Sequence, residues 1–292
     1  MVEKIVNKLI YLCSYIFTYI LAKLNISMPL DKMVSTVDKS DIIISFTSYW
    51  KRFETVHYTL ESLFRQKTDI NFSVVLVLSQ EDIDKFGGLP TKIDRYLKYG
   101  LTLKIVKENL KSYKKAFYTY DLGKPIITVD DDIFYPSWWL SKFYTNIKKN
   151  PDIILAYRGH YIIFENCQIL PYVEWCKISD KKYINIPNET FLPTGTSGVY
   201  YPKESLKGLA ESKDIFTKIC FEADDLWFKY ICLKNGYLSM RLFDRNYQFI
   251  SFDDGETLYE KNVLGGANDI QFQKIIQFDP LFLSSIKKNL NL

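Results

Sequence analysis

Residues 124–136 of this 292-residue chain read KPIITVDDDIFYP. The mostly apolar residues 126–129 predict a short buried strand, and Pro136 closes the turn into a helix. Three consecutive carboxylates, Asp130, Asp131 and Asp132, follow that strand directly. Because adjacent like charges repel, we expect a compensating cation, and an oxygen-seeking ion such as Mg²⁺ or Mn²⁺ shared with a substrate phosphate suits the site. A solvated acidic turn is the alternative.

The composition limits the classes of function. With 47% hydrophobic and 25% charged residues, the chain is typical of a globular protein with one large core or two modest ones. A net charge of +4 does not indicate nucleic-acid binding. The five cysteines lack metal-ligand spacing and suggest reduced thiols in a cytosolic protein, and two histidines are too few for a multi-histidine zinc site. Neither a G-x-G-x-x-G nor a Walker sequence occurs, so no dinucleotide or P-loop site is indicated.

Residues 1–30 differ from the rest and predict an amphipathic helix. No residue from Leu9 to Ala22 is charged, a run shorter than the roughly 20 apolar residues of a bilayer span. The apolar residues at helical spacing are Ile5, Leu9, Leu12, Cys13, Ile16, Ile20 and Leu24. We expect this helix to lie in the membrane interface, at the inner face of the plasma membrane of a cytoplasmic protein. Packing on the protein's own body or on a partner subunit is the alternative.

The remaining chain alternates between strand and helix patterns, which predicts a mostly parallel sheet with right-handed crossovers. Strands are predicted at residues 41–49, 72–78, 101–106, 126–129 and 153–157, and helices at 56–66, 90–97, 116–120 and 138–150. The first strand ends in small polar residues before a helix, a common entrance to a nucleotide site. Its candidate ligand-binding residues are Ser45, Thr47, Tyr49 and Arg52. A polar loop without a ligand is the alternative.

A second acidic pair, Asp224 and Asp225, precedes an apolar helical run. Helix capping explains such a pair, but it also offers a general base separate from a metal site. Upstream, Lys114 and Lys115 begin a short helix from which either amine could reach a diphosphate, unless both simply face solvent.

Several further residues are candidates for contact with an acceptor. They are Arg158, His160, Trp175, Thr194, Gly195, Trp227, Asn268 and Asp269. Each also has a structural explanation, because aromatic residues fill cores, glycines form tight turns and a lone histidine is often simply hydrogen-bonded. Residues 265–269 are glycine-rich and predict a flexible loop that closes over a substrate, or an ordinary surface turn.

Taken in order, these motifs resemble those of bacterial GT-A-type glycosyltransferases related to family 2, which build capsule, exopolysaccharide or lipopolysaccharide. The motifs are SFTSY at 45–49 with Arg52, DDD at 130–132 followed by Tyr135 and Pro136, RGH at 158–160, PTG at 193–195, ADDLW at 223–227 and ND at 268–269. The resemblance covers roughly residues 40–275, and the order and spacing are more specific than any one motif.

The resemblance implies an α/β fold of the GT-A type, a Rossmann-like mixed, mostly parallel sheet flanked by helices, over residues 40–292. It implies a nucleotide-sugar donor, UDP-linked by preference, whose diphosphate is bridged by Mn²⁺ or Mg²⁺ to Asp130, Asp131 and Asp132. Donor contacts would fall to the residues of the first strand end, to the two lysines and to Asp130 and Asp131. Asp225 would deprotonate a glycan or lipid-linked acceptor in an inverting reaction, with Asp224 orienting it.

The sequence departs from the family at two points. Related enzymes often write the first motif as two aspartates separated by one residue, whereas here all three positions are acidic. A late metal-binding histidine is missing, since His160 is the last one. Two other classes of function stay open: a metal-dependent phosphotransferase using a nucleotide-activated donor, and a non-catalytic glycan-binding protein.

Overall fold

The computed structural model describes residues 2–179, 184, 186–252 and 265–288. The strands are β1 (Ile42–Thr47), β2 (Phe72–Ser79), β3 (Thr102–Val106), β4 (Ile126–Thr128), β5 (Ile133–Phe134), β6 (Ile154–Ala156), β7 (Gly159–Tyr161), β8 (Phe164–Glu165), β9 (Gln168–Ile169), β10 (Phe191–Pro193), β11 (Val199–Tyr201), β12 (Ser239–Arg241) and β13 (Ile250–Ser251). The helices are α1 (Val2–Ser27), α2 (Val56–Phe64), α3 (Gln80–Phe86), α4 (Asp94–Leu97), α5 (Lys114–Phe117), α6 (Trp139–Ile147), α7 (Tyr172–Ser179), α8 (Lys213–Ile219), α9 (Asp224–Lys234), α10 (Ala267–Phe278) and α11 (Pro280–Lys287).

Within these residues, seven strands form one sheet in the order β12-β6-β11-β4-β1-β2-β3. The pairs β1–β2, β2–β3, β1–β4 and β6–β12 are parallel, whereas β11 runs antiparallel to both β4 and β6. Six strands therefore share one direction and β11 is reversed. The carboxyl ends of the six strands and the beginning of β11 meet at the same edge of the sheet.

The strand order reverses at β1. From β1 the chain builds outward through β2 and β3, and then returns to place β4 on the other side of β1. At such a reversal the connections leave in opposite directions and open a crevice beyond the carboxyl ends of the strands, which is where α/β sheets bind ligands. The residues that follow β1 and β4 are the predicted polar loop and the three aspartates.

Both faces of the sheet are buried. Along β2, Val74, Leu76 and Leu78 belong to an apolar core shared with α2 and α6, while Val75 and Val77 belong to a second core shared with α7 to α11. This alternation follows from the two-residue repeat of a strand. The predicted strands thus form a sheet that helices cover on both sides, as the alternation of strand and helix patterns indicated.

Several helices, α3, α7 and α8 among them, were not predicted, and one helix is shorter than predicted. Helix α3 follows β2 directly, and its first turn is capped by Ser79, whose Oγ accepts a hydrogen bond from Asp82 N at 3.3 Å. The Ser-x-x-Asp spacing of a capping box would have indicated this helix. The helix predicted over 90–97 is a 3₁₀ turn, Thr91–Ile93, followed by the four-residue α4.

Helix α1 is confirmed as a helix, and one side of it packs on the protein. Tyr15 and Tyr19 contact the ring of Phe252, at 6.0 and 6.2 Å between centroids, and Ala22 is fully buried. The guanidinium of Arg65 donates to Asn25 O at 2.6 Å. The opposite face is exposed, and it carries the predicted apolar residues Leu9, Leu12, Cys13, Ile16, Ile20 and Leu24.

The apolar part of α1 extends beyond the predicted run. The segment Leu9–Ser27, 19 residues long, has the length and composition of a membrane span. The predicted division of the chain at residues 30–40 stays a prediction, and residues 289–292, at the end of the second predicted domain, lie outside the described part of the chain.

Candidate active site

Five aspartates gather beyond the carboxyl edge of the sheet. Asp130, Asp131 and Asp132 follow β4, while Asp224 and Asp225 form the first turn of α9. The side chains alternate in depth, because Asp131 and Asp224 are buried while the three others are partly exposed. The two acidic motifs, separated by about 90 residues of sequence, thus form one cluster that opens to solvent.

Lys115 joins the two motifs. Its Nζ lies 3.1 Å from Asp130 Oδ1 and 3.1 Å from Asp224 Oδ2. Burial alone would lower the pKa of Lys115, but the attraction of Asp130, Asp224 and Asp225 outweighs burial and raises this pKa well above its ordinary value. Lys115 therefore stays charged and neutralises part of the cluster.

Arg52 holds the other two carboxylates of the first motif. Its Nη1 lies 2.6 Å from Asp131 Oδ1 and its Nη2 lies 3.5 Å from Asp132 Oδ2. The second oxygen of Asp131 accepts a hydrogen bond from Ser48, and Asp132 Oδ2 accepts one from Ser251 Oγ at 2.8 Å. Both oxygens of Asp131 are thus engaged by the protein, and 6% of its side chain is exposed.

Burial also weakens the acidity of Asp132. It raises the pKa of Asp132 to about 6, against the opposing charge of Arg52 and with reinforcement from the neighbouring carboxylates of Asp131 and Asp130. The raised pKa shows that Arg52 offsets only part of the cost of burying a charged Asp132 beside Asp130 and Asp131.

Asp225 is held by the turn that precedes β11. The backbone N–H of Gly195 donates to Asp225 Oδ2 at 3.1 Å, and the buried Oδ1 has no hydrogen-bond partner among the described residues. Burial and the adjacent Asp224 raise the pKa of Asp225 to about 7, with Lys115 opposing them and Asp130 adding to them. A general base with a pKa near the working pH is well suited to accept a proton.

Gly195 lies close to three members of this cluster, Lys115, Asp130 and Asp225. A Cβ added at this position would lie 2.9 Å from Lys115 Nζ, 3.3 Å from Asp130 Oδ1 and 3.5 Å from Asp225 Oδ1. Asp130 and Asp225 therefore face the same small space beside the glycine. Any larger residue would displace these side chains, so the predicted PTG motif has a steric reason.

The described residues contain no group of three or more histidine, cysteine, aspartate or glutamate side chains arranged to coordinate a metal. Two carboxylates with substrate phosphates and water are nevertheless a common ligand set for Mg²⁺. Asp130 and Asp132 suit this set best, because 30% and 16% of their side chains are exposed, respectively. The metal site predicted from Asp130, Asp131 and Asp132 stays a prediction.

Four predicted ligand-binding residues are turned into the protein instead. Lys114 is 1% exposed and pairs with Asp82 at 2.9 Å, so its charge is already neutralised and it does not face the aspartates. Ser45 is buried and donates to Lys115 O at 2.5 Å. Trp175 and Trp227 are buried in the core, and their indole N–H groups donate to Leu170 O and Ser212 Oγ.

At the predicted nucleotide entrance, the two remaining residues of the first strand end differ in position. Thr47 Oγ1 donates to Val77 O at 2.7 Å, which ties β1 to β2. Tyr49 is 39% exposed, and the guanidinium of Arg52 lies 5.4 Å from its ring centroid. An exposed ring beside the acidic cluster can stack against a base or a sugar.

The predicted acceptor side lies around the turn from β6 to β7. Arg158 Nη1 donates to Thr194 Oγ1 at 3.0 Å, adjacent to Gly195. His160 is buried, its Nε2 lies 3.5 Å from Cys176 Sγ, and burial lowers its pKa to about 3. His160 is therefore neutral, and its predicted contact with an acceptor stays a prediction.

The predicted flexible loop at 265–269 differs from the structure. Asn268 and Asp269 lie in the first turn of α10, and Asp269 Oδ1 accepts a hydrogen bond from Tyr172 N at 2.8 Å. Asn268 is 7% exposed, and its Oδ1 has no hydrogen-bond partner among the described residues. The side chain of Asp269 thus ties α10 to the first residue of α7.

Sequence reasoning missed three residues that position the site: Ser48, Ser251 and Asp82. Ser48 lies within the SFTSY motif, so its motif membership was a usable signal. Asp82 was indicated by its capping-box spacing from Ser79. Ser251 is brought to Asp132 by the pairing of β13 with β5, and no local pattern indicates such a long-range contact.

No protein-family model and no curated protein matches this chain. Many solved structures are similar to it, and two are examples. One is the mannosyltransferase PcManGT from Pyrobaculum calidifontis in complex with GDP-Man and Mn²⁺, with a TM-score of 0.55 and 14% identity over 98% of this chain and 81% of that chain. The other is S. aureus TarS 1-349 in complex with UDP-GlcNAc, with a TM-score of 0.52 and 17% identity over 86% of this chain and 67% of that chain. At these identities the likeness concerns the fold, and the chain has the GT-A, Rossmann-like α/β fold that its sequence predicted.

Proposed function

We propose that this protein is a metal-dependent glycosyltransferase that moves a sugar from a nucleotide-sugar donor to an acceptor hydroxyl. The observation that carries the proposal is the charge of the cluster at the sheet edge. Five aspartates gather there, and Lys115 and Arg52 are the cations within 4 Å of them among the described residues. Burial, reinforced by the neighbouring carboxylates, raises the pKa values of Asp132 and Asp225, and a divalent cation would stabilise their charged forms.

The residues of the cluster divide into two roles. Asp130 and Asp132 would hold Mn²⁺ or Mg²⁺, which when bound would stabilise the negative charge of a departing nucleoside diphosphate. Arg52 and Lys115 position these carboxylates and keep the site from being wholly negative. Asp131 orients Arg52 rather than binding the ion, since both of its oxygens are occupied.

Asp225 would act as the general base. Its Oδ2 is held by Gly195 N–H, which leaves the unpartnered Oδ1 to accept the proton of an acceptor hydroxyl. Asp224 is engaged by Lys115 and keeps the pKa of Asp225 high through its negative charge. If Asp225 accepts the proton of the acceptor hydroxyl while the acceptor oxygen attacks the anomeric carbon from the side opposite the departing nucleoside diphosphate, the configuration inverts, and we propose inversion as the stereochemical outcome.

The finer parts of the proposal rest on the sequence motifs. The donor is UDP-linked by preference, although both GDP-Man and UDP-GlcNAc occur in structures of the same fold. The motif order supports a relationship to family 2 and a role in surface polysaccharide synthesis with a glycan or lipid-linked acceptor. The exposed apolar face of α1 supports a peripheral position at the inner face of the plasma membrane.

Thermal stabilisation by donors tests the proposal. A donor at 100 times its Kd stabilises the native state by about 2.7 kcal/mol, which raises the Tm of a chain this long by roughly 5–10 °C. We expect this shift for one of a panel of UDP- and GDP-sugars in the presence of Mn²⁺, with loss of the shift in EDTA.

Matched variants assign the shift to the site. Asp132→Asn should abolish the Mn²⁺-dependent shift, whereas Asp152→Asn, at an exposed aspartate outside the cluster, should retain it. The proposal is wrong if no nucleotide-sugar stabilises the protein, or if Asp132→Asn keeps both the shift and sugar transfer at the parental rate. Transfer of phosphate rather than release of a nucleoside diphosphate would instead identify a phosphotransferase.

A further inference from the structure

A large cavity lies between α1 and the body of the protein, and it is separate from the acidic cluster. Its volume is about 850 Å³, within the usual range of roughly 300–1,000 Å³ for ligand pockets. None of its lining residues belongs to the candidate catalytic or donor-binding set. It therefore needs an explanation of its own.

The cavity continues as a groove along α1. A second cavity of about 320 Å³ shares Ser14, Gln248 and Ile250 with the first and reaches Ile10, while the first reaches Asn25. The 15 residues between these two ends of the helix span about 22 Å. A groove this long fits an extended hydrocarbon chain better than a compact polar metabolite.

In the middle of the groove the body side is mostly apolar, whereas α1 contributes Ser14 and Thr18 beside Leu21. Leu21 lines it from α1, and Phe134, Trp138 and Phe249 line it from the body. Trp138 is 39% exposed, although its ring contacts Phe249 at 5.9 Å between centroids. Partly exposed tryptophans are typical of proteins at a membrane interface, and Trp138 lines this groove.

One end of the groove is basic. Lys32, Arg65 and Lys67 line it where α1 ends, together with the carboxylate of Asp31, and Arg65 is itself paired with Glu61 at 2.6 Å. The backbone of this end is fixed, since Arg65 Nη2 donates to Asn25 O at 2.6 Å and Lys67 N donates to Ser137 O at 2.8 Å. The charge that remains is positive, and Lys67 has an exposed side chain available to a ligand.

From the apolar length and the basic end together, we infer that this groove binds one anionic membrane phospholipid, with its acyl chain along α1 and its phosphate at Lys32 and Lys67. Buried methylene groups favour binding through the hydrophobic effect, and basic residues attract the phosphate of an anionic lipid. The inference deepens the proposed membrane contact of α1 and does not depend on glycosyltransferase activity.

Short-chain lipids below their micelle concentration test the site without a bilayer. We expect dioctanoyl phosphatidylglycerol to bind the full-length protein more tightly than dioctanoyl phosphatidylcholine. Lys32→Glu/Lys67→Glu should weaken phosphatidylglycerol binding by at least about thirtyfold, since two attractions are lost. The control Lys203→Glu/Lys207→Glu changes the net charge equally at exposed lysines that do not line the cavity, and it should bind as the parent does.

Brominated phosphatidylglycerol then locates the lipid. It should quench tryptophan emission in the parent, and Trp138→Phe should remove that quenching, because Trp138 is the tryptophan that lines the cavity among the described residues. Equal affinity for the two headgroups, or quenching that persists in Trp138→Phe, would overturn the inference. Preference for a polyisoprenyl phosphate over phosphatidylglycerol would also overturn it, in favour of a lipid-linked acceptor.

The same variants separate this inference from the proposed function. Lys32→Glu/Lys67→Glu should retain the Mn²⁺-dependent donor shift, because neither lysine belongs to the acidic cluster. A lipid result of either sign therefore leaves the glycosyltransferase proposal to its own test.

Discussion

Replacing Asp225 with asparagine should make the metal-free protein more stable while abolishing its activity. Burial beside Asp224 raises the pKa of Asp225 to about 7, against 3.8 for an ordinary aspartate. A carboxyl group with a raised folded-state pKa stabilises the native state fully below its unfolded pKa, and that stability is lost as pH rises through the folded pKa. The parent should therefore lose stability between about pH 4 and pH 8, and the asparagine variant should be spared that loss.

The size of the effect follows from the shift. At 1.36 kcal/mol per pKa unit, a shift of roughly three units gives a ceiling of about 4 kcal/mol. Because Asp225 and Asp224 share one buried site, we expect about half of this, or about 2 kcal/mol at pH 8. For a chain of this length, that corresponds to a Tm higher by roughly 4–8 °C.

Thermal melts of the parent and Asp225→Asn in EDTA, from pH 5 to pH 9, measure this directly. The difference in Tm should be small at pH 5, grow through pH 7 and level off above pH 8. The control Asp152→Asn, at an exposed aspartate, should follow the parent at every pH. Parallel loss of stability in the parent and Asp225→Asn would refute the assignment of buried negative charge to Asp225. Sugar transfer by the variant should fall by roughly 10²–10⁴-fold, the usual contribution of a general base.

Three further predictions concern the neighbours of this carboxylate. Lys115→Met should destabilise the protein by roughly 3–5 kcal/mol at pH 8, because it leaves the buried Asp224 and the partly exposed Asp130 without their cation. Urea denaturation should show a smaller loss at pH 5, where the neighbouring Asp225, whose pKa is raised to about 7, is protonated. Gly195→Ala should reduce kcat at least tenfold by displacing the side chains that a Cβ would meet within 3.5 Å, and unchanged steady-state kinetics would show that the space is not needed. His160→Gln should leave the rising limb of the pH–rate profile near pH 7, since the pKa of His160 is lowered to about 3; movement of that limb would assign it to His160 instead of Asp225.

The position of the site could be predicted from sequence, because strand patterns end where polar residues begin. The three aspartates after β4 and the SFTSY motif after β1 both fall at carboxyl strand ends, and parallel strands bring such ends to one edge. The second acidic motif needed the resemblance as well, since nothing local to Asp224 and Asp225 distinguishes a helix cap from a base.

The direction of individual side chains could not be predicted. Lys114 and Lys115 are adjacent and chemically identical, but a helix turns about 100° per residue, so Lys115 reaches Asp130 while Lys114 reaches Asp82. Trp175 and Trp227 were candidates for contact with an acceptor, and both fill the core. Which residue reaches the cleft depends on how the helices rotate on the sheet, and this rotation is settled by the packing of the whole molecule.

The contacts of Phe252 have a practical consequence for how this protein is handled. The backbone N–H of Phe252 donates to Asp132 O at 2.7 Å, and its side chain contacts Tyr15 and Tyr19 of α1. A helix with an exposed apolar face, such as α1, is an obvious segment to delete when a protein is prepared for assay. Removal of α1 would remove the packing contacts of Phe252, the residue whose backbone N–H bonds to Asp132 in the acidic cluster. A shortened protein that failed to turn over sugar would then report the missing helix and not the chemistry of the enzyme.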